Sequence, residues 1–261
     1  MFVQMWAYRV MIGGLVRREL RARYAGSVLG TLWTFLSPLC LLLVYVVVFS
    51  TILQVRFTTE GGNLSFSLYL LAGLLPWLAF QEGIIKATTA IIDNAGIVKA
   101  THFPAAVLVV SSVLATCVTL IVSLLLLVVT LMLLGYGSWW NVAYLLVLVF
   151  LQGVLALGIG LVTASLHTLI RDTLPVLQML FMMWFYLTPI IYPLAYVPER
   201  WAVAFSWNPA TSLITAYRAV LLEGKFPLGT EILPSCVWAI SLLYFGRLVF
   251  ARVEPIFADV V

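Results

Sequence analysis

Polar and apolar positions alternate along this chain on the scale of whole helices rather than of strands. Long apolar runs at about 30–53, 66–90, 103–134, 142–166, 174–194 and 232–250 are separated by short polar connections. A helix needs roughly 20 apolar residues to cross a hydrocarbon core, whereas barrel strands show alternating segments of about ten. The runs therefore predict six transmembrane helices. Ahead of them the pattern changes to a helical amphipathic one: Ile12, Val16, Leu20, Tyr24 and Val28 share a face, with Arg17, Arg18 and Arg21 opposite. That predicts a helix over about 9–28 lying in the membrane surface. Glu19 and Arg23 fall on its apolar side at i, i+4 spacing, where they can neutralise each other.

Two runs depart from simple hairpins. The second is cleanly apolar only to Phe80 and continues with Glu82 and Lys86 at i, i+4. An ionisable pair at that depth is costly unless it is paired or faces water, so this helix is expected to project past the membrane into an aqueous entrance. The third run is long enough to tilt or to begin outside the bilayer at Pro104, where proline suits a first helical turn. Between 187 and 229 stand Pro189, Pro193, Pro198, Pro209 and Pro227, in a moderately apolar stretch that also holds Trp201 and Trp207. Prolines break helices, and non-spanning apolar backbone is tolerated near a membrane only where protein or a cavity surrounds it. Half-inserted helices are the expectation: one around 188–196, and a second capped by Asn208, opened by Pro209, running to about Leu222 and ended by Gly224.

Composition enforces the membrane reading. Hydrophobic residues make up 64% of 261, charged residues 9%, and mean hydropathy is +1.13, which leaves too little polar surface for a water-soluble globule. The fold class expected is all-α integral membrane, one domain over 1–261. It comprises the surface helix, six spans, and re-entrant outer half-helices between spans five and six. Arg9 interrupts the only early apolar stretch, so no secretory leader is expected. With the N-terminus inside, Arg9, Arg17, Arg18, Arg21, Arg23, Lys86, Lys99, Arg171, Arg247 and Arg252 lie on the cytoplasmic side, against Arg56, Arg200, Arg218 and Lys225 outside. That distribution favours cytoplasmic N- and C-termini. The net charge of +4 reports these loops and their membrane lipids rather than nucleic-acid binding. Cys40, Cys117 and Cys236 each sit inside an apolar run with no metal-ligand or disulfide spacing.

Chemistry is sparse. There is no GxxxxGK[ST] phosphate loop, so no nucleotide is expected to be hydrolysed here by that route. The acids are scattered without a paired-carboxylate cluster, and His102 and His167 stand singly; no catalytic residue and no metal site is expected. The aromatics carry more information. Trp33 and Trp77 suit interface anchoring, but Tyr45 and Phe49 share a face midway between Gly30 and Leu53, where belt residues are not expected. Aromatic faces stack on sugar rings, and a tyrosine hydroxyl can still hydrogen-bond. Trp33, Tyr45, Phe49, Trp77, Trp184 and Tyr186 are therefore candidate contacts for a glycan in a channel.

RRELRARYAGSVLGTLWTFLSPL at 17–39, NAGIVKATHFPA at 94–105, RDTLPVLQMLFMMWFYLTPIIYP at 171–193 and NPATSLITAYRAVLLEG at 208–224, in this order, resemble the permease subunit of ABC-2 type bacterial polysaccharide exporters. These export O-antigen, capsule or teichoic acid. One departure is Ala100, where many relatives carry a second basic residue beside Lys99. The resemblance implies an inner-membrane homodimer with a channel for a lipid-linked polysaccharide. It also implies two copies of a separate cytoplasmic ATPase subunit, which bind ATP and Mg; no cofactor is implied in this chain. Arg17, Arg18, Arg21, Asp93, Lys99, His102, Phe103 and Pro104 would then couple to the ATPase. Pro189, Pro193, Asn208, Pro209 and Arg218 would form an outer gate, and Glu82 with Lys86 the entrance ion pair. A drug or lipid exporter of the same class, or a membrane transferase acting on polyprenyl-linked sugars, are the competing expectations.

Overall fold

The computed structural model describes residues 6–23, 25–52, 56–59, 62–100, 104–135, 141–227 and 229–260. Its helices are α1 (Arg9–Ala22), α2 (Trp33–Tyr45), α3 (Phe66–Asp93), α4 (Ala95–Ala100), α5 (Ala106–Leu133), α6 (Asn141–Leu169), α7 (Thr173–Tyr186), α8 (Glu199–Ser206), α9 (Pro209–Arg218), α10 (Gly229–Val253) and α11 (Phe257–Val260). Wider π-type turns extend α2 through Val46–Ile52 and α9 through Ala219–Glu223. Among the described residues, four helices are long and apolar enough to cross a membrane: Phe66–Asp93, Ala106–Leu133, Val142–Leu169 and Glu231–Ile256. Trp33–Phe49 and Thr173–Tyr186 are apolar but shorter.

The centre of the bundle is α3. Leu68, Leu71, Ala72, Trp77, Ile84, Ala87 and Ile91 are buried on several sides of it, as expected of a helix apolar all round. Helices approach it through small residues. A Cβ on Gly83 would stand 2.8 Å from Thr116 Oγ1 of α5, and one on Gly160 of α6 would stand 2.7 Å from Ala87 Cβ. Packing of this kind is how apolar helices associate where no hydrophobic drive separates helix from solvent. Thr88 and Thr163 share a hydrogen bond of 2.7 Å across α3 and α6, and Gln152 Nε2 donates to the Pro76 carbonyl at 3.1 Å.

Two expectations are corrected. The fifth apolar run does not stay helical to 194. Its helix ends at Tyr186, and at 1.5 Å per residue 14 residues reach about 21 Å, short of a hydrocarbon core of about 30 Å. The segment 188–196, expected as a half-helix, is a turn followed by a single 3-10 turn at Leu194–Tyr196, and helix resumes only at Glu199. Pro189 and Pro193 explain this, since each removes a donor and pushes the residue before it out of the helical region. The all-α class holds, with one short antiparallel hairpin, β1 (Arg56–Thr59) with β2 (Gly62–Ser65), joining α2 to α3 with Arg56 opposite Ser65. The second outer helix follows its sequence signals closely. Asn208 caps it by accepting from the Ala210 N–H at 3.0 Å, Pro209 opens it, and Gly224 closes the following turn at φ 68°, a conformation that favours glycine.

Candidate functional site

At one end of the bundle the surface helix is fastened to α3. Arg17 and Arg21 remain exposed on the outer face of α1, while Leu15, Val16, Glu19, Leu20 and Arg23 turn inward and are half-buried. Glu19 and Arg23 do not neutralise each other. Arg23 donates to Glu82 Oε1, Lys86 Nζ lies 3.0 Å from Glu19 Oε1, and Lys86 lies 3.7 Å from Glu82 Oε1. The two i, i+4 pairs are thus crossed into one network of alternating sign, which neutralises four charges at once. Arg18 extends the connection by donating to Asn94 Oδ1 at the corner between α3 and α4.

Beside this clasp, Asp93 at the end of α3 and Gly96 and Lys99 on the short α4 are exposed. His102 and Phe103 lie outside the described residues. Pro104 is half-buried just before α5, and its carbonyl accepts from Val107 N at 3.0 Å. The first donors of α5 gain a partner from far along the chain, because Glu254 Oε1 accepts from Ala105 N at 2.8 Å. Glu254, Asn94 and the crossed pairing were not found from sequence, since nothing local marks a partner many residues away.

The aromatic candidates fall into two groups. Tyr45 stacks on Phe49 with ring centroids 5.7 Å apart, and Phe49 meets Phe66 edge-on at 4.9 Å. Both are half-buried on the seam between α2 and α3, while Phe35, Leu39, Leu43 and Val47 form the exposed side of that helix. Trp33 is half-buried near the start of α2 and donates from Nε1 to Ser27 Oγ at 2.9 Å. The other group is a packed cluster of Trp77, Phe80, Phe181, Trp184 and Phe185. Trp77 is 2% exposed within it, so its side chain packs the bundle instead of lining an open surface. Tyr186, by contrast, is exposed at the end of α7.

At the opposite end of α3, Asn208 and Arg218 gather the turn after α7. Asn208 Oδ1 accepts from Trp184 Nε1 at 2.9 Å, and its Nδ2 donates to Leu187 O and Thr188 Oγ1, each at 3.2 Å. Arg218 reaches Pro189 O and Ile190 O. Pro193 is half-buried where the following 3-10 turn begins. Since Asn208 is both cap and hub, Asn208→Ala is expected to destabilise the protein by about 1–3 kcal/mol. Asn208→Asp keeps both acceptor roles and should lose less; thermal unfolding in detergent orders the two.

The whole arrangement, with an apolar bundle, a charged surface helix at one end and a clamped non-helical turn at the other, has close sequence counterparts. The ABC-2 type transporter family matches residues 12–222. The chain belongs to that family. It is 32% identical over 260 residues to the O-antigen export system permease protein RfbA of Myxococcus xanthus, covering 98% of this chain and 97% of the relative. A Klebsiella pneumoniae RfbA is 26% identical over 258 residues, covering 94% and 93%. The polysialic acid transport protein KpsM of Escherichia coli is 24% identical over 247 residues, 94% of each chain. ABC-2 family membership makes the chain a transport subunit of the membrane. Within it, the exposed arginines of α1 and the exposed side of α4 share an end with the ionic clasp.

Proposed function

We propose that this chain is the permease of an ATP-driven exporter that carries a lipid-linked polysaccharide across the bacterial inner membrane. The observation that supports it best is similarity over nearly the full chain to permeases named for O-antigen export and polysialic acid transport. Six crossings follow if α2 with its wider last turns and α7 with the turn after it each pass the bilayer beside the four long helices. The clasped end faces the cytoplasm on this reading, where α1 and α4 meet a separate ATPase that holds ATP and Mg. Two copies pair through apolar faces that the single chain leaves open: Phe35, Leu39 and Leu43 on α2, and Met179, Met182 and Met183 on α7. The 188–223 segment, with α9 re-entering from outside, closes the exit.

Removing the gene from its host should abolish surface polysaccharide and leave polymer inside, with restoration by this chain together with its ATPase. Intact polysaccharide with altered drug or lipid sensitivity would replace the reading by its closest competitor. For the conduit itself, Tyr45→Leu with Phe49→Leu should keep protein level and ATPase pairing but cut export several-fold, whereas Tyr45→Trp is tolerated. Leucine preserves apolar volume, so a mere packing role would leave export unchanged.

A further inference from the structure

The turn 188–190 presents a problem of buried backbone. Thr188, Pro189 and Ile190 are all buried, so carbonyls that the end of α7 leaves free have no water to bond. Arg218 supplies the donors. Its side chain is 7% exposed, Nη1 donates to Pro189 O at 2.7 Å, and Nη2 donates to Ile190 O at 2.6 Å. The same guanidinium turns its other donors to α3, with Nη1 2.8 Å from Tyr69 Oη and Nε 3.3 Å from Tyr69 O. Its Cζ stands 3.7 Å from the centroid of the Tyr69 ring. Among the described residues no carboxylate pairs with it. The slot is made by Gly73, where a Cβ would come within 2.8 Å of Nη2 and 3.0 Å of Ile214 Cγ2.

A buried cation held entirely by neutral acceptors and a ring is retained by geometry more than by charge pairing, and its bonds divide between two bodies. On one side are the turn and α9, which Asn208 joins a second time through Leu187, Thr188 and Trp184. On the other is α3. We infer that Arg218 and Tyr69 are the positioning residues of the outer closure: the turn and α9 move as one clamped body, and the guanidinium contact with Tyr69 is what breaks when that body leaves α3. This rests on the proposed role of the 188–223 segment as an exit gate.

The test reads the turn directly and needs no polysaccharide. In protein whose three native cysteines are replaced, Ile190→Cys is exposed to a membrane-impermeant maleimide in right-side-out vesicles. The buried position should label slowly. Tyr69→Phe keeps the ring but removes the phenol oxygen, and should raise labelling about five-fold, the equivalent of one lost hydrogen bond. Arg218→Lys keeps charge but loses the fork, and should raise it further. Leu108→Ala, an equally buried change at the clasp end of α5 and far from the turn, is the control and should leave labelling near the parent level. Unchanged labelling in Tyr69→Phe, which decides the matter if Arg218→Lys does not fold, overturns the assignment; so does an equal rise in the Leu108→Ala control. Faster labelling in a protein that exports no polysaccharide would leave the assignment standing and sink only the proposed substrate.

Discussion

Gly246→Ala is expected to reduce folded protein sharply, and Gly246→Leu to abolish it. A Cβ at 246 would intrude on the backbone oxygen of Gly158 and stand 3.2 Å from Leu161 Cβ. The reciprocal position is equally tight, since a Cβ on Gly158 would lie 2.6 Å from Leu242 C and Leu243 N. The nearest obstacles are backbone atoms, and Leu161 Cβ is fixed to the backbone, so a rotamer change cannot relieve them; α6 and α10 must separate along their contact. Overpacking a well-packed interior costs about 1–3 kcal/mol per site, and separating two backbones loses their other contacts too. Gly13→Ala on α1 is the internal comparison. Nothing lies within 4 Å of a Cβ there, and alanine favours helix by about 0.5–1 kcal/mol. Fluorescence-detected size exclusion after graded heating reads all three variants. A Gly246→Ala protein with parental yield and melting temperature would show that the two helices do not rely on this contact.

That glycine contact marks where sequence reading stops. Periodicity works when one face of a helix differs from the other, and it located the apolar runs and α1, although α1 ends at Ala22 instead of near 28 and leaves Val28 exposed. In α3, α6 and α10 nearly every face is apolar, so the pattern says nothing about which glycine meets which neighbour. Local rules carried as far as their own range. Asn208, Pro209 and Gly224 are cap, first turn and terminator within one segment, and the helix formed where they said. The i, i+4 rule correctly brought Glu82 near Lys86 but could not see that Arg23 and Glu19 stand closer to them than their own neighbours do. Length alone misread the fifth run, because Pro189 ends the helical backbone while hydrophobicity continues past it. Trp77 looked like an interface anchor or channel contact for the same reason: an aromatic residue in an apolar run carries no sign of whether protein, lipid or solvent will surround it.

The crossed clasp leads to the other large effect. Glu82→Gln should harm the protein more than Glu82→Gln combined with Arg23→Gln. Removing Glu82 alone leaves Lys86 with Glu19 but takes from Arg23 its acid, and Arg23 Nε already has no partner among the described residues. Removing Arg23 as well leaves Lys86 and Glu19 as a neutral pair at 3.0 Å. The side chains keep 17 to 39% exposure, so the single change should cost about 1–2 kcal/mol, less than a fully buried charge would. The double change should recover about 0.5–1 kcal/mol of that through coupling between the sites. The loss should be greatest in recovery of the complex with the ATPase, because the clasp ties α1, which packs against α5, to α3, and Arg18 carries that position to the start of α4. Pull-down of the ATPase together with thermal unfolding of the isolated permease separates assembly from folding. If the two changes simply add, the four side chains are independent surface charges and the clasp has no part in holding the surface helix.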